Sequence, residues 1–337
     1  HGFRFDWVVE EAFAALPARH PAIINVLPIA WRRWRRRLWR GRAELAAFVR
    51  RLRCERYDLV LDAQGLLKSA VVSAAARSPE RAGFDRASAR ESLAALGLNR
   101  AIAVAREAHA ITRQRALFAT ALGYPAPRPE SFPDFGLKAG YAAGAPVVDR
   151  APLAVLLHGT TWASKLWPEP YWIDLARRAR SNGFEVALPA GTVEEEARAQ
   201  RIAAAAGAIA WPRMSLADLI DRVTQAGLVI GVDSGLLHAS AALGVPTVGL
   251  YLSTDAGRTG CVGPRARALA ADFPCAPCAS RICRYRGVVA REQGETIEPA
   301  CATSVTPARA WAAVEAVLDA DRAMLLTAEP MSIRGTP

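Results

Sequence analysis

The chain has 337 residues, 52% apolar and 22% charged, with a formal net charge of +11. That balance describes a globular protein large enough for two domains of ordinary size. It excludes a segment that crosses a bilayer, since no apolar run approaches the roughly 18 residues a span needs, and six cysteines are too few for a disulfide framework. A cytoplasmic setting is expected.

In chain order, FDWVV (5–9) reads as a strand. WRRWRRRLWRGR (31–42) then holds seven arginines, so most of the excess charge is local. Trp31, Trp34 and Trp39 recur there at near-helical spacing, which predicts a helix with an aromatic anchoring face and a guanidinium face. Arginine forks grip phosphates and carboxylates in pairs of hydrogen bonds, so three partners fit: nucleic acid, an anionic membrane surface or a discrete acidic substrate. A solvated basic helix with its tryptophans in the core is the fourth possibility. Next come a helix at 43–52, a strand at 57–65, a helix at 66–76, and helices at 90–99 and 107–124. Residues 125–150, rich in Pro, Gly and Ala without sustained periodicity, form the expected interdomain linker.

The second half alternates regularly: strand 153–157, helix 169–181, strand 184–189, helices 193–206 and 215–226, strand 228–232, helix 236–243 and strand 246–251. This pattern predicts a parallel sheet covered by helices, with ligands bound beyond the carboxyl ends of its strands, where Thr160, Asp233 and Tyr251 fall. Two junctions stand out, LAVLLHGTTWASKLWPEPYW (153–172) and LVIGVDSGLLHASAAL (228–243). In each an apolar strand breaks at small or hydroxyl residues and resumes as a helix. A helix start offers unpaired N–H groups and the positive end of its dipole, so Gly159-Thr160-Thr161 and Asp233-Ser234-Gly235 can each cradle phosphate, with Lys165 as a mobile cation. Ordinary hydroxyl capping is the alternative. Neither junction fits the dinucleotide fingerprint or the P-loop, which leaves a diphosphate site of another kind. Further on, Cys275, Cys278, Cys283 and Cys301 supply four thiols that are either free or ligands of a structural zinc.

The arginine-tryptophan segment, DAQGLLKSA (62–70), HGTTWASKLWPEPYW and VDSGLLH, in this chain order, resemble the heptosyltransferases of glycosyltransferase family nine. The resemblance implies an α/β protein of the GT-B class, two Rossmann-like domains facing a central cleft. Residues 1–148 would bind the acceptor and 149–325 the ADP-sugar, followed by a tail at 326–337. It further implies transfer of L-glycero-D-manno-heptose from ADP-heptose to Kdo of lipid A, with inversion. The protein would sit peripherally at the cytoplasmic face of the inner membrane, with no cofactor, catalytic metal or nucleic-acid partner. Transfer to the first heptose is the alternative within the family.

By position, the resemblance gives Thr160 and Thr161 the diphosphate and Lys165 the charge on the departing ADP. It gives Glu195 the ribose and Met214 the adenine, although these could equally be a first-turn acidic residue and a core residue. Asp233, Ser234 and Gly235 would meet sugar and phosphate, with His238 a further ligand or a structural histidine. Arg32, Arg33, Arg35 and Arg36 would bind the acceptor, with Lys68 and Arg113 or Arg115 as lesser candidates. The family also keeps a general-base aspartate in a Gly-Asp junction after its first strand. FDWVV resembles the second strand, so the expectation is a truncated chain without that aspartate, slow to turn over, in which Asp6 is no substitute.

Overall fold

The computed structural model describes residues 2–35, 41–126, 128, 133–137, 151–289, 291–292 and 295–327. The chain divides into two compact units, His1–Phe132 with Gly136–Lys138, and Pro133–Phe135 with Ala139–Pro337. In the first unit, β1 (Phe5–Glu10) pairs in parallel with β2 (Ile23–Ile29). One helical turn, α1 (Trp31–Trp34), and α2 (Arg42–Leu52) follow. A second parallel sheet joins β3 (Leu59–Asp62), β4 (Glu80–Phe84) and β5 (Arg100–Ile102), with α3 (Leu67–Ala75) after β3 and α4 (Ala110–Leu122) after β5.

Several expectations for this unit need correction. Of the basic helix the described residues show one turn, Trp31–Trp34, and Arg36 and Trp39 fall outside them. Trp34 does act as the anchor: it is buried, lies edge-on to Phe48 at 5.9 Å and donates its indole N–H to Glu44 at 2.9 Å. The helix expected at 90–99 is a 3-10 turn, Ser92–Gly97. Strand β2 has no clear sequence signal because Pro28 interrupts its apolar run, yet Pro is tolerated where only one neighbour is paired, as here. Strands β4 and β5 are short and carry charge, so no alternation marks them. Most of the expected linker, and the tail beyond 327, lie outside the described residues.

The second unit is built on one parallel sheet of six strands. Its elements are β6 (Leu153–Leu157), α5 (Glu169–Ser181), β7 (Glu185–Leu188), α6 (Val193–Ala206), β8 (Ile209–Ala210), α7 (Leu216–Val223), β9 (Leu228–Val232), α8 (Gly235–Ala242), β10 (Thr247–Tyr251), α9 (Ala256–Thr259) and β11 (Ala266–Ala270). A short antiparallel pair, β12 (Arg291–Glu292) and β13 (Glu295–Thr296), precedes α10 (Pro307–Thr327).

The sheet order, β11-β10-β9-β6-β7-β8, is that of a Rossmann fold. Its central strands are sealed on both faces, which is why LVIGV and TVGLY read as unbroken apolar runs. Leu156, Leu188, Ile230 and Val248 pack with Trp167, Trp172, Leu175 and Val314 on one face. Val155, Ala187, Val229 and Tyr251 pack with Val223 and Leu237 on the other. Strand β11 was not anticipated because ARALA is alanine-rich and carries no strand preference of its own.

Candidate functional site

The chain leaves β6 toward β7 on one side, and leaves β9 toward β10 on the other. Since β6 and β9 are neighbours, their carboxyl ends flank the point where the strand order reverses, which is where doubly wound sheets bind ligands. Both sequence junctions therefore arrive at one place. After β6 come His158-Gly159-Thr160-Thr161 and a 3-10 turn, Ala163–Lys165; after β9 come Asp233 and Ser234, then α8.

Asp233 is the hub. Its carboxylate receives Lys165 Nζ at 2.7 Å and Thr254 Oγ1 at 2.8 Å on one oxygen, and faces His238 Nε2 at 3.2 Å on the other. Burial is the strongest single influence on this acid and pushes its pKa up. The hydrogen bonds from His238, Lys165 and Thr254 together outweigh it and bring the group down to about 2, so it is a carboxylate at neutral pH. The Asp233 carbonyl also accepts from Thr160 Oγ1 at 3.0 Å, so the two junctions are stitched to each other. Ser234 caps α8 through Leu237 N–H at 3.4 Å, Gly235 opens that helix, and Thr161 is exposed beside the turn. Thr254 was not anticipated. Its signal was its place just past β10, a third strand end of the same sheet.

Helix α6 brings Glu195 to the same loop. Its Oε2 accepts Gly191 N–H at 2.7 Å, and a Cβ built on Gly159 would collide with the carboxylate. A side chain at position 159 would have to push that carboxylate aside. One turn along, Arg198 donates to the carbonyls of His158 (3.5 Å) and Trp167, near the two ends of the loop. Burial lowers its pKa. Met214 is half-buried against the cluster that contains Trp211.

His158 is fully buried, with Nε2 at 3.1 Å from the Pro189 carbonyl, and burial followed by the charge on Arg198 pushes its pKa down to about 4. The folded protein therefore keeps His158 neutral over a range in which the unfolded chain takes up a proton. Stability is full above the ordinary histidine pKa of about 6.5 and falls as the pH drops through the window down to about 4, for a total of roughly 3 kcal/mol. Denaturant midpoints between pH 7 and 4 should show this slope, and His158→Gln should flatten it. An equal slope in the variant would remove His158 as the cause.

The first unit has a site of its own at its strand ends. A pocket of about 410 Å³ is lined by residues that include Lys68, Arg90, Arg113 and Gln114. Asp62 folds the turn that shapes it, accepting from the N–H groups of Gln64 (2.9 Å) and Gly65 (3.1 Å) and from Ser69 Oγ (2.9 Å). Gly65 sits at φ +62 with Ala89 close by, which a side chain would not tolerate. Arg113 lies 4.8 Å over the Phe84 ring and donates to the Ser88 carbonyl at 2.5 Å; Lys68 and Arg90 are exposed. The structure brings Lys68 and Arg113 together, and adds Arg90.

In the basic segment, Arg33 is committed to Glu11 at 3.0 Å and Glu44 at 2.8 Å, and those hydrogen bonds raise its pKa. Arg33 thus braces α1 while its side chain stays about half exposed, at 51%. Arg32 lies 5.6 Å over Phe13, and Arg35 is exposed. Asp6 is engaged with Asn25 at 2.9 Å and Tyr57 at 3.1 Å.

Cys275, Cys278, Cys283 and Cys301 are free thiols, the first two exposed and the last buried. Among the described residues no group of three His, Cys, Asp or Glu is arranged to hold a metal, so this geometry does not carry the zinc reading. Burial, then the neighbouring thiols, pushes Cys301 up to about 12.

Residues 45–289 match the family model described as Glycosyltransferase family 9 (heptosyltransferase). The chain is 45% identical to Lipopolysaccharide heptosyltransferase 1 of Pseudomonas aeruginosa over 94% of its own length and 90% of that protein's. To Lipopolysaccharide heptosyltransferase 1 of Escherichia coli K12 it is 40% identical, over 78% and 82% of the two chains. Among solved structures, E. coli heptosyltransferase WaaC with ADP superposes with a TM-score of 0.78 at 34% identity, covering 94% of this chain and 91% of that one. E. coli ADP-heptose lps heptosyltransferase II shares the fold, with a TM-score of 0.64 at 20% identity over 95% and 90% of the chains.

Proposed function

This chain belongs to glycosyltransferase family 9 and is a heptosyltransferase of lipopolysaccharide inner-core assembly, and we propose that it moves L-glycero-D-manno-heptose from ADP-heptose to Kdo of lipid A, with inversion. The observation that carries the donor half is the convergence of Lys165, Asp233, His238 and Thr254 at the switch point of the second unit. Thr160, Thr161 and the N-terminus of α8 at Ser234 and Gly235 surround the diphosphate, Glu195 takes the ribose hydroxyls, and Met214 borders the adenine. The anomeric C–O bond to the β-phosphate breaks with its electron pair remaining on the phosphate oxygen. The acceptor oxygen bonds to that carbon and gives up its proton to water, since no side chain of the described site is assigned as the base. Lys165 lies where it can meet the charge that grows on the departing ADP, a role that needs neither metal nor cofactor.

In this reading the acceptor belongs to the first unit. Kdo-lipid A carries carboxylates and phosphates, and the pocket at Lys68, Arg90 and Arg113, together with the exposed Arg32 and Arg35 and with Arg36, supplies matching cations. No helix among the described residues is long and apolar enough to cross a membrane. We place the protein at the cytoplasmic face of the inner membrane, held there by its lipid-linked acceptor and its basic surface. We read the basic segment as facing an acceptor that carries carboxylates and phosphates rather than nucleic acid.

Incubation with ADP-heptose and Kdo-lipid A, followed by mass spectrometry of the lipid, tests the whole reading. The expected result is one added heptose on Kdo-lipid A; addition only to an acceptor that already carries heptose would assign the second transfer instead. Lys68→Gln with Arg90→Gln should weaken acceptor binding by roughly 1–3 kcal/mol and leave ADP affinity alone. Vesicles with and without Kdo-lipid A provide the assay, and unchanged binding would remove this pocket from the acceptor site.

A further inference from the structure

At the switch point, charge is already balanced before any ligand arrives. Asp233 is a carboxylate and Lys165 lies 2.7 Å from it, so the pair has no net charge to offer. A nucleoside diphosphate brings several negative charges into the same place, and binding it tightly calls for a further cation.

The cysteine-bearing loop brings one. Its main chain is fastened to the donor site at three points: Ser164 N–H donates to the Arg281 carbonyl at 3.2 Å, the Ser164 hydroxyl bonds to the Ser280 carbonyl, and Ala279 N–H donates to the Ser253 carbonyl at 2.7 Å. Ser164 and Ser253 are both buried and bond to each other through their hydroxyls at 2.9 Å. Each directly precedes a partner of Asp233, Lys165 in one case and Thr254 in the other. The loop is thus tied to the residues next to those that hold the hub acid. Its Arg281 guanidinium lies 5.8 Å from the centre of the Trp162 ring, which also carries Lys165 Nζ at 4.5 Å. Arg281 is exposed and has no carboxylate partner among the described residues.

We propose that Arg281 is a second cation for the diphosphate of the nucleotide sugar, placed beside Lys165 by its seat over Trp162, and that the loop from Cys275 to Cys283 serves to deliver it. The proposal rests on the donor site described above and deepens it. Lys165 is neutralised by Asp233, whereas Arg281 brings an unbalanced charge and a fork suited to two phosphate oxygens. The Trp162 face holds the guanidinium without neutralising it, since a cation–π contact leaves its N–H groups free to donate at their edges.

Calorimetric titration of the whole chain with ADP and with adenosine tests this. Arg281→Gln should weaken ADP about tenfold, leave adenosine unchanged and make ADP affinity less sensitive to salt; Arg281→Lys should recover part of the loss. Arg281 is exposed, so these variants keep the fold, and melting curves that match the parent protein would show it. ADP affinity in Arg281→Gln within about twofold of the parent, with Lys165→Ala clearly weakened, would overturn the proposal and leave the donor site standing. Equal losses for ADP and adenosine would also overturn it, because a cation for phosphate cannot act on a nucleoside. If neither Lys165→Ala nor Arg281→Gln changed ADP affinity, the donor-site reading would fall together with the proposal.

Discussion

Replacing Lys165 with alanine should weaken ADP binding by roughly 1–3 kcal/mol, about five- to a hundred-and-fiftyfold, through loss of a charge-assisted contact. It should also destabilise the fold. The Asp233 carboxylate, only 9% exposed, would lose its ion partner while keeping His238 and Thr254. Stripping one partner from a buried pair costs about 3–5 kcal/mol, and the two remaining donors hold the loss below that range. The two effects can be separated. In Lys165→Ala with Asp233→Asn no unpaired charge is left, so stability should recover in denaturant melts while ADP affinity stays low in calorimetry. ADP affinity equal to the parent in Lys165→Ala would refute Lys165 as the diphosphate cation.

The second large effect concerns a glycine. Because a Cβ on Gly159 would occupy the space of the Glu195 carboxylate, Gly159→Ala should drive that side chain off its position and break its bond to Gly191 N–H. If Glu195 holds the ribose, Gly159→Ala and Glu195→Ala should each weaken ADP by about tenfold. The double variant should be no worse than either single one, since both remove the same contact. Adenine alone should bind all three proteins equally. Additive losses in the double variant would mean that Gly159 acts on ADP independently of Glu195, whereas unchanged ADP affinity in Glu195→Ala would remove the ribose assignment.

In the second unit, periodicity places the long helices and the central strands closely and misses the edge strands β8 and β11. Helix 193–206 and strands 153–157 and 228–232 stand where periodicity put them, because strands sealed on both faces must be apolar throughout and helices over a sheet must keep a 3.6-residue stripe. The same logic exposed the site: where a strand passes into a helix, the small and hydroxyl residues at HGTT and VDSG are legible as local chemistry. The family's motifs were legible for the same reason.

Tertiary structure alone decided what those residues do to one another. That Lys165 meets Asp233 across 68 positions, or that Thr160 donates to the Asp233 carbonyl, depends on β6 and β9 being neighbours, a property of strand order that no local pattern encodes. Arg33 pairs with Glu11, 22 residues away, and nothing in its arginine-rich surroundings encodes that partner. Arg281 lay unremarked among the cysteines, since its meaning comes from Ser164 and Trp162, more than a hundred residues earlier in the chain. Periodicity reports which face of an element is buried, and ion pairs and cation–π contacts are made only once distant elements have been brought side by side.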